Sequence, residues 1–437
     1  MSNEAGISRR KFFDMAAGVT GGALAAGKLH AQTASARATG ANDKIRMGLI
    51  GSGNRGREVS GLWTKHIPDF NYVAAADPFK SRLEQGSKML SDNQGGAKVD
   101  SYEDYHRILD RKDIDAVHIA TPDHWHCQVM IDALAAGKDV YVEKPLSNTI
   151  ESAVAGLKAY KASNRIVQIG TQQRSGENWI DAAKIVQGGE LGKVTHAVLQ
   201  FPGTGYGTPP EQVAPVPEGL NWEMFQGPAP RREFKTGRLR WRGWWDYGGG
   251  LITDWGVHLT QVALWYLNAE TTPPLLTSSA SQYVNFVNPD HDQSPDSVMV
   301  TWVYPEFIMS FSNATIHDWE FGRQGNYFFG PKGSLLIHRQ GYEVRPPSTA
   351  GPRRGPAPTD LAAARRVPWR ELDGSDNNSF TVAHGRNFAA SLKARSKPIV
   401  DLEAGFYASL PCILGVKSVR EGKSFKWDNT ALKPIAV

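Results

Sequence analysis

The chain of 437 residues is 41% hydrophobic and 21% charged, which suffices for two or three domains with buried cores and excludes an intrinsically disordered protein. Its formal net charge of +5 includes an excess of two positive charges within residues 1–36, so the remainder carries +3. With no basic cluster interleaved with aromatic residues, this balance argues against a nucleic-acid partner. The two cysteines, Cys127 and Cys412, do not make a disulfide framework.

Residues 1–36 have the order of regions found in a twin-arginine export signal. Arg9 and Arg10 are followed by bulky apolar residues and a weakly apolar run rich in Gly and Ala, and Ala34-Ser35-Ala36 offers a cleavage site. We predict that this segment directs the protein to the periplasm, or otherwise out of the cytoplasm, and is removed. No later stretch is long and apolar enough to span a bilayer, so we predict no membrane insertion after signal removal.

A dinucleotide-binding turn follows the first predicted strand, Ile45–Ile50. The motif Gly-Ser-Gly-Asn-Arg-Gly comes directly after this strand and opens a helical stretch, which is the context that the Rossmann fold requires. The first glycine permits the tight turn, the second lets the backbone approach a pyrophosphate, and the third lets the helix pack on the strand. The residues of this motif expected to contact the cofactor are Gly51, Gly53, Asn54, Arg55 and Gly56.

A carboxylate ends the second predicted strand. Asp77 follows Tyr72–Ala76 and lies about 26 residues after the first glycine of the motif, near the spacing expected for an acid that binds the adenosine ribose. A carboxylate accepts hydrogen bonds from the ribose 2′-hydroxyl and repels a 2′-phosphate, so we predict NAD as the cofactor. Lys80 and Arg82 keep the use of NADP open. The alternative is that Asp77 only caps the turn before Pro78.

Strands and helices alternate up to about residue 165. Apolar runs over 72–76, 116–120 and 140–142 are separated by helical stretches, as the strands of a parallel sheet must be. The sequence therefore predicts an NAD-binding Rossmann domain, a doubly wound parallel α/β sheet, over residues 43–165.

Several residues stand at the carboxyl ends of these strands or at the start of the next helix, where open α/β sheets bind their ligands. Those expected beside the cofactor are Thr121, Pro122, His126, Glu143 and Lys144. His124 and His126 could suggest a metal, but no carboxylate or further histidine stands at ligand spacing, so no metal site is predicted.

The rest of the chain, residues 166–437, is predicted to form an α+β domain. Alternating runs such as 298–304 and 308–311 indicate the strands of a large, open, mostly antiparallel sheet. Helices should cover one face of this sheet, and the other face could become buried only against another subunit. We therefore predict that this domain binds the substrate and forms a homo-oligomer, a dimer or a tetramer.

The stretch 241–258 is the candidate centre for proton transfer. Asp254 and His258 are four residues apart, so on a helix they share a face. An imidazole titrates near neutral pH and can take the proton of a hydroxyl group. The alternative is that Asp254 caps a helix and His258 packs below it. Tryptophans crowd the same region; indole faces stack well on sugar rings, and Trp245 is expected to contact the substrate.

Taken in order, these features resemble the Gfo/Idh/MocA family of oxidoreductases, which includes glucose-fructose oxidoreductase and inositol dehydrogenase, in a form exported by the twin-arginine route. The resemblance covers roughly residues 44–427. It rests on the glycine motif and on the segments Ala120-Thr121-Pro122 with His126, Ala136-Gly137-Lys138, Glu143-Lys144-Pro145 and Gly189–Val194.

The resemblance implies roles for individual side chains. It implies that Lys144 reaches the reacting hydroxyl and the nicotinamide, that His258 is the general base, and that Asp254 orients the substrate or the imidazole. Gln261 stands where the family often has a further Asp, which puts an auxiliary carboxylate in doubt. Substrate-pocket positions are implied for Gln173, Arg174 and, more weakly, Tyr206.

The implied function is that of an NAD(P)-dependent oxidoreductase acting on CH–OH groups of a sugar, a sugar derivative or a cyclitol. Because the periplasm has no dinucleotide pool, such an enzyme should hold its NAD tightly and recycle it within the site. An alternative is an NAD-dependent glycoside hydrolase or lyase that works by transient oxidation, elimination and re-reduction. A third is a carbohydrate-binding protein without turnover, against which the presence of both Lys144 and His258 argues.

Overall fold

The computed structural model describes residues 44–203, 206, 212–284, 292–313, 324–347 and 379–437, together with the backbone of 365–368. The predicted twin-arginine segment, residues 1–36, lies outside the described residues. In the described part of the chain, no helix has the length and apolar character that crossing a bilayer requires.

The first sheet has six strands, all parallel. The strands are β1 (Ile45–Ile50), β2 (Phe70–Ala76), β3 (Asp100–Tyr102), β4 (Ala116–Ile119), β5 (Asp139–Glu143) and β6 (Val167–Gly170). The helices between them are α1 (Asn54–His66), α2 (Lys80–Asn93), α3 (His106–Leu109), α4 (Asp123–Ala135) and α5 (Ile150–Lys161). The order is β3-β2-β1-β4-β5-β6, so the direction of winding reverses between β1 and β4. Ligands of such sheets bind beside this reversal, at the carboxyl ends of the strands.

The second sheet has ten strands. They are β7 (His196–Gln200), β8 (Leu276–Gln282), β9 (Ser297–Val303), β10 (Ile308–Ser312), β11 (Gly325–Gly330), β12 (Gly333–His338), β13 (Gly341–Arg345), β14 (Arg365–Pro368), β15 (Phe425–Asp428) and β16 (Lys433–Ala436). Their order is β14-β13-β12-β11-β7-β10-β9-β8-β15-β16. Only the β7–β10 pair among these described strands is parallel, so the sheet is mostly antiparallel.

Six α-helices accompany the second sheet in the described part of the chain. They are α6 (Glu177–Gln187), α7 (Trp222–Gln226), α8 (Gly250–Asp254), α9 (Gly256–Tyr266), α10 (Ser379–Ala394) and α11 (Leu402–Glu421). The alternation along β9 shows which face they cover. Val300 and Trp302 are fully buried in the core that includes α6 and α9, whereas Met299, on the opposite face, is 51% exposed. One face of the sheet is therefore left open.

Helix α11 belongs to two cores. Phe406 and Leu410 pack in the apolar cluster beneath the parallel sheet, whereas Cys412 and Val416 pack in the cluster beneath the second sheet. Helix α10 also reaches the first sheet, because the Gln168 side-chain amide of β6 donates a hydrogen bond to the His384 carbonyl at 2.9 Å. The carboxyl-terminal helices thus fix the two sheets relative to each other.

The predicted fold class, a doubly wound parallel sheet followed by an α+β domain with a large open sheet, is confirmed. The predicted division at residue 165 falls just before β6, which closes the parallel sheet. Residues 166–437, assigned from the sequence to the second domain, thus begin with the last strand of the first sheet.

Candidate active site

A crevice with a volume of about 520 Å³ opens at the carboxyl ends of β1, β4 and β5. Residues on both sides line it. The predicted site residues among them are Gly51, Gly53, Asn54, Arg55, Asp77, Thr121, Pro122, His126, Glu143 and Lys144 from the first sheet, and Tyr206, Asp254 and His258 from the second domain. The structure therefore brings most of the predicted site into one place.

The glycine loop has the shape that a pyrophosphate requires. Gly51 has a φ of +94°, and a Cβ there would lie 2.6 Å from the Ala120 backbone, so only glycine fits. A Cβ at Gly56 would lie 2.0 Å from the Gly51 carbonyl oxygen. Gly53, by contrast, has open space where a side chain would be, and no side chain caps the start of α1. The backbone N–H groups there are available to an anion.

Asp77 anchors this loop. Its Oδ2 accepts a hydrogen bond from the Ser52 amide at 2.8 Å, and its Oδ1 accepts one from the Phe79 amide at 2.9 Å. Burial raises the pKa of Asp77, and these two hydrogen bonds act in the opposite direction. The turn that the sequence offered as an alternative is therefore present, and Asp77 also lines the crevice. Its contact with a ribose stays a prediction.

Glu143 and His126 position the neighbouring segments. Glu143 Oε1 lies 3.0 Å from Arg55 Nε, so this strand-end carboxylate pairs with the glycine loop and not with Lys144. The two ring nitrogens of His126 contact the Pro145 carbonyl at 2.6 Å and the Thr121 carbonyl at 2.8 Å. His126 thus ties the end of β4 to the segment that carries Lys144. No metal-binding group of His, Cys, Asp and Glu side chains occurs within the described ranges.

Asp254 is the centre of a polar cluster in the part of the crevice that His258 lines, which is called the reacting end below. Lys144 Nζ lies 2.5 Å from Asp254 Oδ1 and 2.7 Å from the Asp254 carbonyl oxygen. Arg242 Nε lies 3.2 Å from the same Oδ1, and the Tyr206 hydroxyl donates a hydrogen bond to Oδ2. Burial opposes ionisation, but Lys144 and Arg242 hold the pKa of Asp254 well below its ordinary value. Asp254 is therefore a carboxylate that fixes the Lys144 ammonium.

Burial favours the neutral imidazole of His258, the second reactive group of the crevice. It is 6% exposed, lines the crevice, and its buried Nδ1 has no hydrogen-bond partner among the described residues. Burial, followed by the charges of Lys144 and Arg339, lowers the pKa of His258 well below 6.5. The expectation of a single helix needs correction, because Asp254 ends α8 and His258 lies in the first turn of α9. Both side chains nevertheless line the same crevice.

Two of the polar residues predicted to line the substrate pocket lie elsewhere. Gln173 and Arg174 do not line the crevice. Gln173 is 2% exposed, and Arg174 forms an ion pair with Glu270 at 2.6 Å and lies over the Trp265 ring. The physical reason is that the segment after β6 turns into the interior beside α9 and α10. Arg174 is paired there with Glu270, whereas the buried Gln173 Oε1 has no hydrogen-bond partner among the described residues.

Trp245 also lies away from the crevice. It is 6% exposed and packs in the core of the second domain, where the Arg420 guanidinium lies 5.7 Å from its ring. Three other tryptophans line the crevice, namely Trp125, Trp241 and Trp255. Composition alone located the aromatic region correctly but did not distinguish core from pocket positions.

Further ionisable side chains line the crevice beyond those predicted from the sequence, among them Asp123, Arg242 and Arg339. Asp123 directly follows the predicted Thr121-Pro122 turn, and Arg242 lies in the same glycine-rich and tryptophan-rich stretch as Asp254, so both were near recognised signals. Arg339 comes from the turn between β12 and β13, about 80 residues after His258. No local pattern points to it, because its position depends on the packing of the second sheet.

Two family models match the chain. The first, described as an oxidoreductase family with an NAD-binding Rossmann fold, matches residues 45–171. The second, described as the C-terminal alpha/beta domain of an oxidoreductase family, matches residues 184–332. Together they span more than half of the chain, which therefore belongs to the Gfo/Idh/MocA family of oxidoreductases. The family and the NAD-binding domain predicted from the sequence are confirmed.

Relatives and solved structures agree with this assignment. The scyllo-inositol 2-dehydrogenase (NAD(+)) of Bacillus subtilis strain 168 is 27% identical over 229 residues, which are 52% of this chain and 56% of the relative. Levoglucosan dehydrogenase of Pseudarthrobacter phenanthrenivorans is 32% identical over 162 residues, 37% of this chain and 40% of the relative. The chain thus spans about half the length of the curated relatives that it matches.

The fold is also found among solved structures. Levoglucosan dehydrogenase in complex with NADH and levoglucosan superposes with a TM-score of 0.65 at 18% sequence identity. The match covers 88% of this chain and 99% of that chain. At this level of identity the likeness establishes the shared architecture of the two sheets.

Proposed function

We propose that this protein is an NAD-dependent oxidoreductase that oxidises a CH–OH group of a sugar, a sugar derivative or a cyclitol. One observation carries the proposal. An ammonium fixed by a carboxylate, Lys144 with Asp254, and the imidazole of His258, whose pKa burial lowers, line the same crevice as the NAD-binding glycine loop. Alcohol oxidation needs such a set, because a proton must leave the hydroxyl while a hydride leaves carbon.

The side chains that line the crevice have separate roles in this oxidation. The amides at the start of α1 and the Asp77 carboxylate hold the dinucleotide, which when bound supplies the hydride acceptor. His258 takes the hydroxyl proton, and Lys144 donates a hydrogen bond to the oxygen as negative charge develops on it. Asp254 keeps Lys144 in place through two contacts, and Arg242 and Tyr206 keep Asp254 in place.

The proposal extends to where and how the enzyme works. The twin-arginine pattern of residues 1–36 supports export of the folded protein with its dinucleotide already bound. Outside the cytoplasm the reduced dinucleotide can be reoxidised only within the same site, by a second substrate or by returning the hydride. We therefore propose tightly bound NAD that is recycled internally.

The test is to purify the exported protein without added nucleotide, identify the bound dinucleotide by mass spectrometry, and incubate the protein with a panel of sugars and cyclitols. We expect NAD to co-purify with the protein. We also expect a keto-sugar or keto-cyclitol to accumulate in an amount that matches the NAD reduced, or the added keto acceptor that is consumed. A protein that carries no dinucleotide, binds none when it is added, and oxidises no member of the panel would refute the proposal.

Glycoside cleavage through a transient ketone is a second candidate, and Asp123 is the observation that favours it. This carboxyl lines the crevice and is 3% exposed, and burial raises its pKa well above the ordinary value. A neutral carboxylic acid can protonate a departing aglycone, a step that simple alcohol oxidation does not need. Release of the phenol from an aryl glycoside without added NAD would support this route, and keto-sugar accumulation without release would support the first.

We also propose that the open face of the second sheet forms the contact between subunits. Register partners on this face include Met299, Val303 and Ile308 on β9 and β10, and Val198 and Phe329 on β7 and β11. Met299 is 51% exposed and Ile308 is 43% exposed, at the centre of a face that no described helix covers. Thr301 and Ser310 lie on the same face, so the face is mixed, with exposed apolar side chains among polar ones, as many subunit interfaces are.

Charge on this face is expected to break the assembly. We expect the wild-type protein to be a dimer or tetramer by size-exclusion chromatography with light scattering, and the double variant Met299→Glu, Ile308→Glu to be a monomer, because two carboxylates would become buried without partners. Val213→Glu, a similar change at an exposed position in a loop, is the control and should leave the mass unchanged. A monomeric wild-type protein would contradict the proposal.

A further inference from the structure

Arg339 reaches into the crevice from the turn between β12 and β13. Its guanidinium lies over the ring of Trp255, 4.6 Å from the ring centre, and 5.7 Å from the ring centre of Phe380. Two aromatic rings thus hold a planar cation in a defined place, which leaves its N–H edge to bind a ligand.

The other cations at this end of the crevice have carboxylate partners. Arg55 lies 3.0 Å from Glu143 and 3.2 Å from Glu58, and Lys144 and Arg242 share Asp254. Arg339 forms no ion pair or hydrogen bond with any described residue, and its Nε is buried without a partner. A charged donor group without an acceptor is costly to bury, so the part of the guanidinium that lines the crevice is expected to receive an acceptor from a ligand.

Glu58 and Asp254, the carboxylates whose charges act on Arg339, are already paired with Arg55 and with Lys144 and Arg242. Asp123 lines the same crevice, but burial raises its pKa well above the ordinary value, which favours the neutral acid. His258 is also neutral, because burial and the neighbouring cations lower its pKa. The reacting end of the crevice therefore has one positive charge more than it has described carboxylates.

The position of Arg339 favours the substrate over the cofactor as the source of the anion. Trp255, on which it stacks, stands in the chain between Asp254 and His258. Its charge is among the causes that lower the pKa of His258, so it acts at the residue proposed to take the substrate proton. The pyrophosphate already has the amides at the start of α1.

We propose that Arg339 binds a carboxylate of the substrate, so that the enzyme acts on a sugar acid of the hexuronate class. A guanidinium binds a carboxylate through two parallel hydrogen bonds, a geometry that a neutral hydroxymethyl group cannot provide. This inference rests on the proposed function, since it identifies the substrate class of the same site.

Binding of matched acid and neutral sugars tests it. Isothermal titration calorimetry of the protein with its bound dinucleotide would compare D-glucuronate with D-glucose and D-galacturonate with D-galactose. We expect at least one uronate to bind roughly 10- to 100-fold more tightly than its neutral parent, as a charge-assisted hydrogen-bond pair provides. Arg339→Gln should abolish this ratio, Arg339→Lys should retain part of it, and Arg345→Gln, on the exposed end of β13, should leave it unchanged.

Several outcomes would overturn the inference. These are equal affinity of the wild-type protein for acids and neutral sugars, failure of every uronate to bind, or an Arg339→Gln variant that keeps the acid preference. Loss of the dinucleotide from Arg339→Gln with an unchanged acid preference would assign Arg339 to the pyrophosphate. Because the readout is binding, a uronate preference without any keto product would refute the proposed oxidation and leave this inference standing.

Discussion

Replacing Lys144 with methionine is expected to lower kcat about 1,000-fold while leaving dinucleotide binding intact. The variant keeps the length and apolar stem of the side chain and removes only the ammonium, which we propose stabilises the developing alkoxide, an effect of this size when one positioned donor is lost. Asp254 would remain paired with Arg242 and Tyr206, so the carboxylate is not left alone and the fold should persist. Turnover and bound dinucleotide are measured on the same preparation.

The control for this variant is Lys161→Met on α5, where an exposed lysine pairs with Glu403 at 2.9 Å outside the crevice. Its activity should match the wild type. If Lys144→Met retained more than about a tenth of wild-type kcat, Lys144 would not be the donor to the reacting oxygen and the proposed division of roles would be wrong.

Replacing His258 with glutamine is expected to lower kcat/KM by about 100- to 10,000-fold and to change its pH dependence. The base must be neutral to act. Because burial, Lys144 and Arg339 lower the pKa of His258, the imidazole stays neutral as the pH falls through 6.5, and wild-type activity should decline only well below that value. In His258→Gln this acid limb should disappear from the residual activity.

The pH profile also distinguishes a catalytic role of His258 from a structural one. A histidine that only supports the fold would not determine the decline of activity at low pH. His66→Gln, an exposed histidine at the end of α1, is the control and should leave both the rate and the profile unchanged. A wild-type acid limb centred at or above pH 6.5, or an unchanged limb in His258→Gln, would show that another group is the base.

Local patterns were sufficient to predict the fold and one side of the site. The glycine motif, the strand ends at Asp77 and Glu143, and the period of two along β9 each depend on residues close together in sequence, and the structure has the predicted architecture. Asp254 and His258 were also predicted from a local pattern, their spacing of four residues. The two side chains line one crevice even though two short helices replace the single helix expected.

Tertiary contacts determined what the sequence did not reveal. Arg339 enters the crevice only because the β12–β13 turn is placed over Trp255, and Phe380 arrives there from the start of α10. Conversely, Gln173 and Arg174 follow a strand end, as a pocket residue would, yet their chain segment turns inward. Residue type and strand position cannot distinguish these cases, because the deciding neighbours lie far away in the chain, as Glu270 does from Arg174 and Trp255 from Arg339.

Because α11 packs in the cores of both sheets, the two halves of the molecule are not independent folding units. A fragment ending at the family boundary near residue 171 would lose Phe406 and Leu410, which fill the apolar space against the parallel sheet. The nucleotide-binding half completes its interior only with the last sixty residues of the chain. A chimera that exchanges the nucleotide-binding half between relatives would therefore have to include α10 and α11 together with the first 170 residues. Chain synthesis must also be nearly finished before either half can complete its core.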